Sequence, residues 1–251
     1  MADVLERLKA IMARLRDPLE GCAWDRVQTF QTIAPYTVEE AYEVADAIAT
    51  DDMDALRDEL GDLQLQIVFH AAIAEDRGAF TLEEVIAGVC DKMERRHPHI
   101  FGDAAVSPGW EAIKARERGG RPDGSALAGV ARALPALMRA EKLQRRAARV
   151  GFDWPDAAGP RAKITEEIVE VETAGNMAAR QAEVGDLLFA VVNWARHLGI
   201  DPEVALRDAN ANFERRFRAI EIAPDFADLA LADKEALWAE AKADERRQSR
   251  A

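Results

Sequence analysis

Residues 164–188, ITEEIVEVETAGNMAARQAEVGDLL, contain the pattern that decides the fold. The first half carries Glu-Glu-x-x-Glu, and the second half carries Glu-x-x-Asp among apolar residues. A second copy occurs at residues 37–63, TVEEAYEVADAIATDDMDALRDELGDL, where 15 residues separate the two acidic motifs instead of 12. Because the same two motifs follow one another twice, the chain is predicted to contain two copies of one helical unit.

The rest of the chain also shows the periodicity of helices. Leu5, Leu8, Met12 and Leu15 lie three or four residues apart, and similar apolar stripes recur along the sequence. Alternating runs of β-branched and aromatic residues, which are typical of strands, do not occur. We therefore predict an all-α fold of two tandem helical-bundle units, each of which completes a four-helix bundle by pairing within a dimer.

A stretch rich in glycine and proline between residues 97 and 125 separates the two copies. The predicted boundaries are residues 1–105 for the N-terminal unit, 106–126 for a linker and 127–251 for the C-terminal unit. A short helix is expected inside the break, at residues 110–118. Thr37 and Thr81 are each followed by acidic residues, a pattern that predicts helix N-termini at both threonines.

Composition and charge exclude several classes of protein. The formal net charge of −13 argues against broad binding to nucleic acid, which requires clustered Lys and Arg. The apolar runs are shorter than the ~18 residues of a membrane span. Cys22 and Cys90 lie far apart without partners at metal-ligand spacing, so we expect neither a disulfide framework nor a zinc site, and a reducing cytosol is the expected compartment.

Helix geometry explains the spacing of the acids. Side chains three or four residues apart share one face of a helix, and two antiparallel helices joined by a short loop bring two such faces together. Each copy then offers four carboxylates around one or two points, as in metal sites of helical bundles. In the first copy the shared face carries Glu43 with Glu40 or Glu39, three and four residues before it, and Glu59 and Asp62 project together from the next helix. The second copy repeats this spacing.

Acids at this spacing are most often a solvated helix surface. Two features favour a metal site here. The pattern occurs twice, and Asp62 and Asp186 interrupt runs that are otherwise apolar, where a carboxylate is costly unless a cation or hydrogen bonds compensate it. Ligands that are all carboxylates favour a hard cation, Mg²⁺ or Mn²⁺, over zinc.

Several segments resemble the MazG family of nucleoside triphosphate pyrophosphohydrolases, in the all-α pyrophosphohydrolase superfamily. Besides the acidic motifs, the resemblance rests on Gly21-Cys22-Ala23-Trp24-Asp25, Arg95-Arg96-His97-Pro98-His99, Val150-Gly151-Phe152-Asp153-Trp154 and Phe213-Glu214-Arg215-Arg216-Phe217. The chain looks like the tandem form with two carboxylate units. The resemblance implies hydrolysis of nucleoside triphosphates to monophosphate and pyrophosphate, with Mg²⁺, in a homodimer.

The resemblance also implies residue roles in the C-terminal unit, which is thought to carry the main activity in the tandem form. The residues at the family's nucleotide contacts are Lys163, Glu166, Glu167, Arg215, Arg216 and Trp238. Asn212 stands where relatives commonly carry lysine, which removes one expected phosphate-binding cation. The resemblance also implies the metal ligands of the C-terminal unit, which are Glu167, Glu170, Glu183 and Asp186. The corresponding N-terminal metal set, whose role is less clear, is Glu40, Glu43, Glu59 and Asp62.

The expected chemistry is attack of water on the anhydride between the α and β phosphates, with Glu166 as the candidate general base. Trp238 or Phe213 is expected to stack on the base. Two other functions fit acids on helices: a non-catalytic helical regulatory protein that binds metal structurally, and a ferritin-like di-iron protein. Di-iron sites usually need a Glu-x-x-His pair, and Glu-x-x-Asp stands there in both copies.

Overall fold

A computed structural model describes residues 2–102, 113 and 123–248. The described residues contain helices and no strands, which confirms the all-α prediction. The chain divides into two compact units, Met1–Arg116 and Glu117–Ala251. Most of the predicted linker at residues 106–126 and of the helix predicted at residues 110–118 lies outside the described residues; Ile113 is helical and buried.

Residues 2–102 of the N-terminal unit contain five α-helices and one 3₁₀ turn. The helices are α1 (Ala2–Leu15), α2 (Phe30–Ala49), α3 (Met53–Asp76), α4 (Leu82–Arg96) and α5 (Pro98–Phe101), and the 3₁₀ turn is Asp25–Val27. α2 and α3 pack against each other as a hairpin, and α1 packs against α3. The described part of the C-terminal unit contains α6 (Ala136–Ala148), α7 (Ala158–Thr173), α8 (Met177–His197), α9 (Pro202–Ile220) and α10 (Leu231–Gln248), with a 3₁₀ turn at Phe226–Asp228.

One of the two predicted helix starts is wrong. Thr81 does begin α4: its side chain accepts a hydrogen bond from the Glu84 backbone N–H, and the Glu84 carboxylate accepts one from the Thr81 N–H. Thr37, in contrast, lies inside α2, which begins after the capping residue Thr29. The Thr37 hydroxyl donates to the Ile33 carbonyl and lies 2.9 Å from His70 Nε2, so it links α2 to α3 instead of capping a helix.

The N-terminal unit has an apolar interior. The buried cluster at its centre joins side chains from α1, α2, α3 and α4: Met12, Ile33, Val68, Phe69, Ala71, Ile73 and Leu82. Removal of these side chains from water supplies the main force that holds the α2–α3 hairpin against its neighbours.

The C-terminal unit has a more polar interior around its own hairpin of α7 and α8. Residues 174–176 join these helices, and Asn176 caps α8 by accepting a hydrogen bond from the Ala179 N–H. α6 packs against α8, and α9 packs against α10. Four buried side chains in the described part of this unit are polar or charged: Glu141, Gln144, Glu167 and Asn193. Buried polar groups cost free energy unless they form hydrogen bonds. The space around α8, where these side chains lie, is therefore a candidate binding site.

No helix in the described part of the chain combines the length and the apolar character that a membrane crossing requires.

Candidate metal centre and adjoining cavity

Three acids of the C-terminal hairpin converge on one point. Glu167 and Glu170 come from α7 and Glu183 from α8, and carboxylate oxygens of the three lie within 4.8 Å of one another. Glu167 is only 3% exposed. Its Oε1 lies 2.7 Å from Lys163 Nζ, whereas its Oε2 is buried and has no hydrogen-bond donor among the described residues. A buried, unpartnered carboxylate oxygen beside two other acids suits a cation.

The charges in this cluster act on one another. The carboxyl of Glu167 raises the pKa of Glu170, with burial and the charge of Glu183 adding to the effect, while Lys163 opposes it. Hydrogen bonds to Glu166 and Glu167 raise the pKa of the Lys163 ammonium. Without a metal, therefore, Glu170 holds its proton to higher pH than an isolated glutamate, because ionisation would place three carboxylates together.

The N-terminal hairpin repeats this arrangement. Carboxylate oxygens of Glu40 and Glu43 on α2 and of Glu59 on α3 also lie within 4.8 Å of one another. Burial raises the pKa of Glu40, and the charges of Asp62 and Glu43 raise it further. Burial likewise raises the pKa of Glu59, followed by the charges of Glu43 and Asp62. Both hairpins thus gather three glutamates, as the spacing of their acids predicts.

The fourth acid of each predicted set lies beside these groups. Asp62 and Asp186 do not belong to the two groups of three oxygens. The charge of Asp62 raises the pKa of Glu40 and of Glu59. Asp186 lines a cavity whose wall also includes Glu167. Among the described residues, neither group of acids includes a histidine or cysteine, so the ligand set that a ferritin-like di-iron site normally uses is not found in either one.

A cavity of about 800 Å³ adjoins the acids of the C-terminal unit. We call it the α6–α8 cavity, because its wall comes largely from these two helices, from the segment that follows α6 and from α7. Its lining residues are Leu127, Leu143, Gln144, Ala147, Gly151, Phe152, Asp153, Trp154, Pro160, Lys163, Glu167, Asp186, Phe189, Ala190, Asn193 and Arg196. Its size is in the range of small-molecule sites, and its wall is mainly apolar with a few polar groups, as such sites are.

The predicted nucleotide-binding residues fall into two groups. Lys163, Glu166 and Glu167 lie together: Lys163 Nζ is 2.8 Å from Glu166 Oε1 and 2.7 Å from Glu167 Oε1. Arg215, Arg216 and Trp238 lie on α9 and α10, and they are not among the residues that line the α6–α8 cavity.

The α9–α10 group is held by its own contacts. Arg215 and Arg216 each donate to the Glu245 carboxylate, at 2.9 and 2.7 Å. These two arginines hold the pKa of Glu245 below its usual range. The Trp238 ring centroid lies 5.2 Å from that of Phe213, so the two rings considered for base stacking contact each other.

A polar network at the wall of the cavity, formed by Asp153, Asn193, Arg196 and His197, is not predicted by the sequence motifs. Arg196 donates to Asp153 Oδ2 at 2.9 Å and to Asn193 Oδ1 at 2.6 Å, and His197 Nε2 lies 3.0 Å from Asp153 Oδ1. Hydrogen bonds from Arg196 lower the pKa of Asp153. The network ties the segment that carries Trp154 to α8. Its one signal in the sequence is Asn193, a polar residue within the apolar run after Asp186.

Comparison with known proteins gives the family. The family model described as the MazG nucleotide pyrophosphohydrolase domain matches residues 28–101. The nucleoside triphosphate pyrophosphohydrolase of Escherichia coli strain K12 is 52% identical over 228 residues, which cover 86% of this chain and 87% of that protein. The chain belongs to the MazG family.

Two further relatives of this chain differ in how much of their own length the match covers. Nucleoside triphosphate pyrophosphohydrolase/pyrophosphatase MazG of Thermotoga maritima is 47% identical over 223 residues, 87% of this chain and 86% of that protein. The uncharacterized protein YabN of Bacillus subtilis is 44% identical over 254 residues, 95% of this chain but 52% of that protein. The stretch that the MazG model matches includes the three N-terminal glutamates Glu40, Glu43 and Glu59.

Close packing at the start of α7 fixes one wall of the cavity and can be tested. A methyl group added at Gly159 would lie 2.1 Å from Trp154 Cδ1, which is far inside van der Waals contact. We expect Gly159→Ala to displace the Trp154 ring and so to shift its indole N–H resonance in an NMR spectrum, assigned with Trp154→Phe. Gly175→Ala is the matched control, because nothing lies within 4 Å of its added methyl group. An unmoved Trp154 resonance in Gly159→Ala would contradict this packing.

Proposed function

We propose that this chain hydrolyses nucleoside triphosphates to nucleoside monophosphate and pyrophosphate, with Mg²⁺ held by the acids of the C-terminal unit. The observation that carries the proposal is the buried, unpartnered oxygen of Glu167 among three glutamates at the edge of the α6–α8 cavity. The 52% identity to an enzyme named for this reaction supports the same conclusion.

The proposed ligands of the ion are Glu167, Glu170, Glu183 and Asp186, with Glu40, Glu43, Glu59 and Asp62 as the corresponding N-terminal set. A donor set made only of carboxylate oxygens suits a hard divalent cation, and Mn²⁺ is the alternative to Mg²⁺. When bound, the ion offsets phosphate charge and lowers the pKa of bound water.

The chain's own residues orient the substrate and handle the proton. Lys163 holds the Glu166 carboxylate at one oxygen, at 2.8 Å, and that carboxylate is exposed enough to meet water. In the proposed reaction Glu166 accepts the proton of the water that cleaves the anhydride between the α and β phosphates. Lys163 then donates to phosphate oxygens that become more negative as the bond breaks.

Arg215, Arg216 and Trp238 belong to the proposal as further nucleotide contacts. Both arginines are paired with Glu245, so a phosphate group that reaches them competes with this carboxylate. The guanidinium carbon of Arg216 lies 5.8 Å from the centre of the Trp238 ring, which keeps the cation beside the aromatic surface proposed to stack on a base.

We also propose the homodimer and the domain boundaries given by the sequence, with units at residues 1–105 and 127–251. On α8, Val184, Leu188 and Val191 recur at helical spacing on one face and are 40%, 53% and 41% exposed. An exposed apolar stripe beside a helical hairpin is suited to a second hairpin, which would complete a four-helix bundle.

The dimer has a direct test. Size-exclusion chromatography with light scattering should give twice the chain mass of 27.7 kDa. Leu188→Glu should shift the population toward the monomer, because the interface would have to bury a charge. The exposed residue Val204 on α9 provides the control variant Val204→Glu. A wild-type chain that elutes at the monomer mass would refute the dimer.

Kinetics of matched glutamate variants test the reaction and separate the two units. Glu170→Gln removes one proposed ligand of the C-terminal site, and we expect a loss of about 100-fold or more in kcat/KM, since even residues behind the ligands cost 10–100-fold. Glu43→Gln makes the same change at the corresponding N-terminal position and should have a smaller effect. The measurement is pyrophosphate release from several nucleoside triphosphates with Mg²⁺. If the wild-type chain releases none from any of them, it is a metal-binding regulatory protein and not an enzyme.

The raised pKa of Glu170 predicts how metal binding depends on pH. A raised pKa means that the acid keeps its proton to higher pH, and the metal must displace that proton. The affinity for Mg²⁺ should therefore fall as the pH is lowered through the pKa of Glu170, and binding in that range should release protons. Isothermal titration in two buffers of different ionisation enthalpy measures the release. Glu170→Gln should bind more weakly at every pH and release fewer protons; equal release from both proteins would contradict the prediction.

A further inference from the structure

One carboxylate of α10 joins two neighbouring arginines of α9. Glu245 Oε1 accepts a hydrogen bond from Arg215 Nε at 2.9 Å, and Glu245 Oε2 accepts one from Arg216 Nε at 2.7 Å. Side chains of adjacent residues on a helix point about 100° apart, so two adjacent guanidinium groups do not normally share one partner. We call this pair of ion pairs the Glu245 bridge.

The Glu245 bridge offsets the positive charge of both arginines. The side chains of Glu245 and Arg216 are 23% and 21% exposed, so solvent screens their ion pair only in part. Hydrogen bonds from Arg216 and then from Arg215 hold the pKa of Glu245 below its usual range, although burial opposes them. The carboxylate is therefore ionised at neutral pH, and its charge opposes the binding of any other anion at the two guanidinium groups.

Arg216 keeps nitrogens that a phosphate can reach while the bridge is closed. Its Nε bonds Glu245, whereas its Nη1 and Nη2 donate no hydrogen bond to any residue that the structure describes. Arg215 is held more fully, because its Nη2 donates to Asn212 Oδ1 at 2.6 Å. A phosphate chain can thus make its first contact at Arg216. It then lies beside a carboxylate that repels it, because the two charges have the same sign.

Glu245 lies near the end of α10, where displacement of a side chain costs little. α10 ends at Gln248, three residues after Glu245, and helix ends open more readily than helix centres. The middle of α10 is held separately, since the Trp238 ring lies 5.2 Å from that of Phe213 on α9. Trp238 precedes Glu245 by seven residues, about two turns, so the last turn can separate while Trp238 stays in contact with α9.

We propose that the Glu245 bridge is an autoinhibitory contact that a phosphate chain displaces when it binds. With the bridge closed, one carboxylate compensates both guanidinium groups, and these groups hold phosphate weakly. When a phosphate chain takes the place of the carboxylate, both cations meet the anion and the last turn of α10 separates from α9. The inference rests on the proposed function, since it takes Arg215 and Arg216 as phosphate contacts of the same substrate.

Calorimetry with inorganic tripolyphosphate and Mg²⁺ tests the bridge without a nucleotide. Glu245→Gln keeps the shape of the side chain but removes its charge, and it should bind tripolyphosphate about three to ten times more tightly than wild type. In an Arg216→Gln background the same substitution should tighten binding less, because one of the two cations that it releases is missing.

Glu240→Gln is the matched control for Glu245→Gln. It removes the same charge from an exposed position on the same helix, and within the described part of the chain Glu240 makes no hydrogen bond or ion pair. Its affinity for tripolyphosphate should equal that of wild type. A role of Glu245 in stability alone would lower Tm in Glu245→Gln but would not tighten the binding of the ligand.

Hydrogen exchange measures whether the end of α10 moves. Tripolyphosphate should speed amide exchange at residues 245–248 of the wild-type chain, while exchange around Trp238 should not increase. In Glu245→Gln the amides of residues 245–248 should exchange fast before any ligand is added, because the contact that holds them is already broken.

Three results would overturn the proposal. They are affinity of Glu245→Gln for tripolyphosphate equal to or weaker than that of wild type, unchanged exchange at residues 245–248 when the wild-type chain binds, and no binding by the wild-type chain. Weaker binding would make Glu245 a residue that organises the two arginines for phosphate. A wild-type chain that binds tripolyphosphate but hydrolyses no nucleoside triphosphate would refute the proposed reaction and leave the autoinhibitory contact standing.

Discussion

The repulsion among carboxylates gathered by one helical hairpin is the constraint on which the rest of the site depends. Glu167 is 3% exposed and shares its space with Glu170 and Glu183, an arrangement that raises the pKa of Glu170 and leaves one buried oxygen without a donor among the described residues. Such a cluster costs stability unless a cation compensates it. The hairpin nonetheless holds the acids together. The short connection at residues 174–176 and the packing of α7 on α8 keep the faces that carry them opposite each other.

Each unit gathers three glutamates, but the interiors of the two units differ. In the N-terminal unit the three glutamates stand beside an apolar core that includes Phe69. In the C-terminal unit they stand beside a cavity of about 800 Å³ whose wall includes Asn193. Asn193 comes seven residues after Asp186, as Phe69 comes seven residues after Asp62. The acids alone therefore make the units look equivalent, although one cluster belongs to a unit with an apolar core and the other adjoins a cavity.

The sequence predicted the acid clusters because their geometry is local. Glu167 and Glu170 must share a face on any helix, and a short connection brings Glu183 to them. The helix start at Thr37 was wrong because the acids after Thr37 resemble the first turn of a helix, whereas Thr29 caps α2 and the helix continues through Pro35. The bond between Asp153 and Arg196 joins residues 43 positions apart, and no local pattern indicates such a pair.

Charge balance decides how a triphosphate can approach a chain of net charge −13. Lys163 is the cation beside the C-terminal acids, and it is already shared between Glu166 and Glu167. Arg215 and Arg216 are shared in the same way by Glu245. Each described cation proposed to meet phosphate is thus paired with a carboxylate, so a phosphate gains only the difference between its own attraction and the one it replaces. In the proposed function a divalent ion would supply the additional attraction, because it would add positive charge where three carboxylates have gathered. Lys163 could then turn from the carboxylates to a phosphate oxygen.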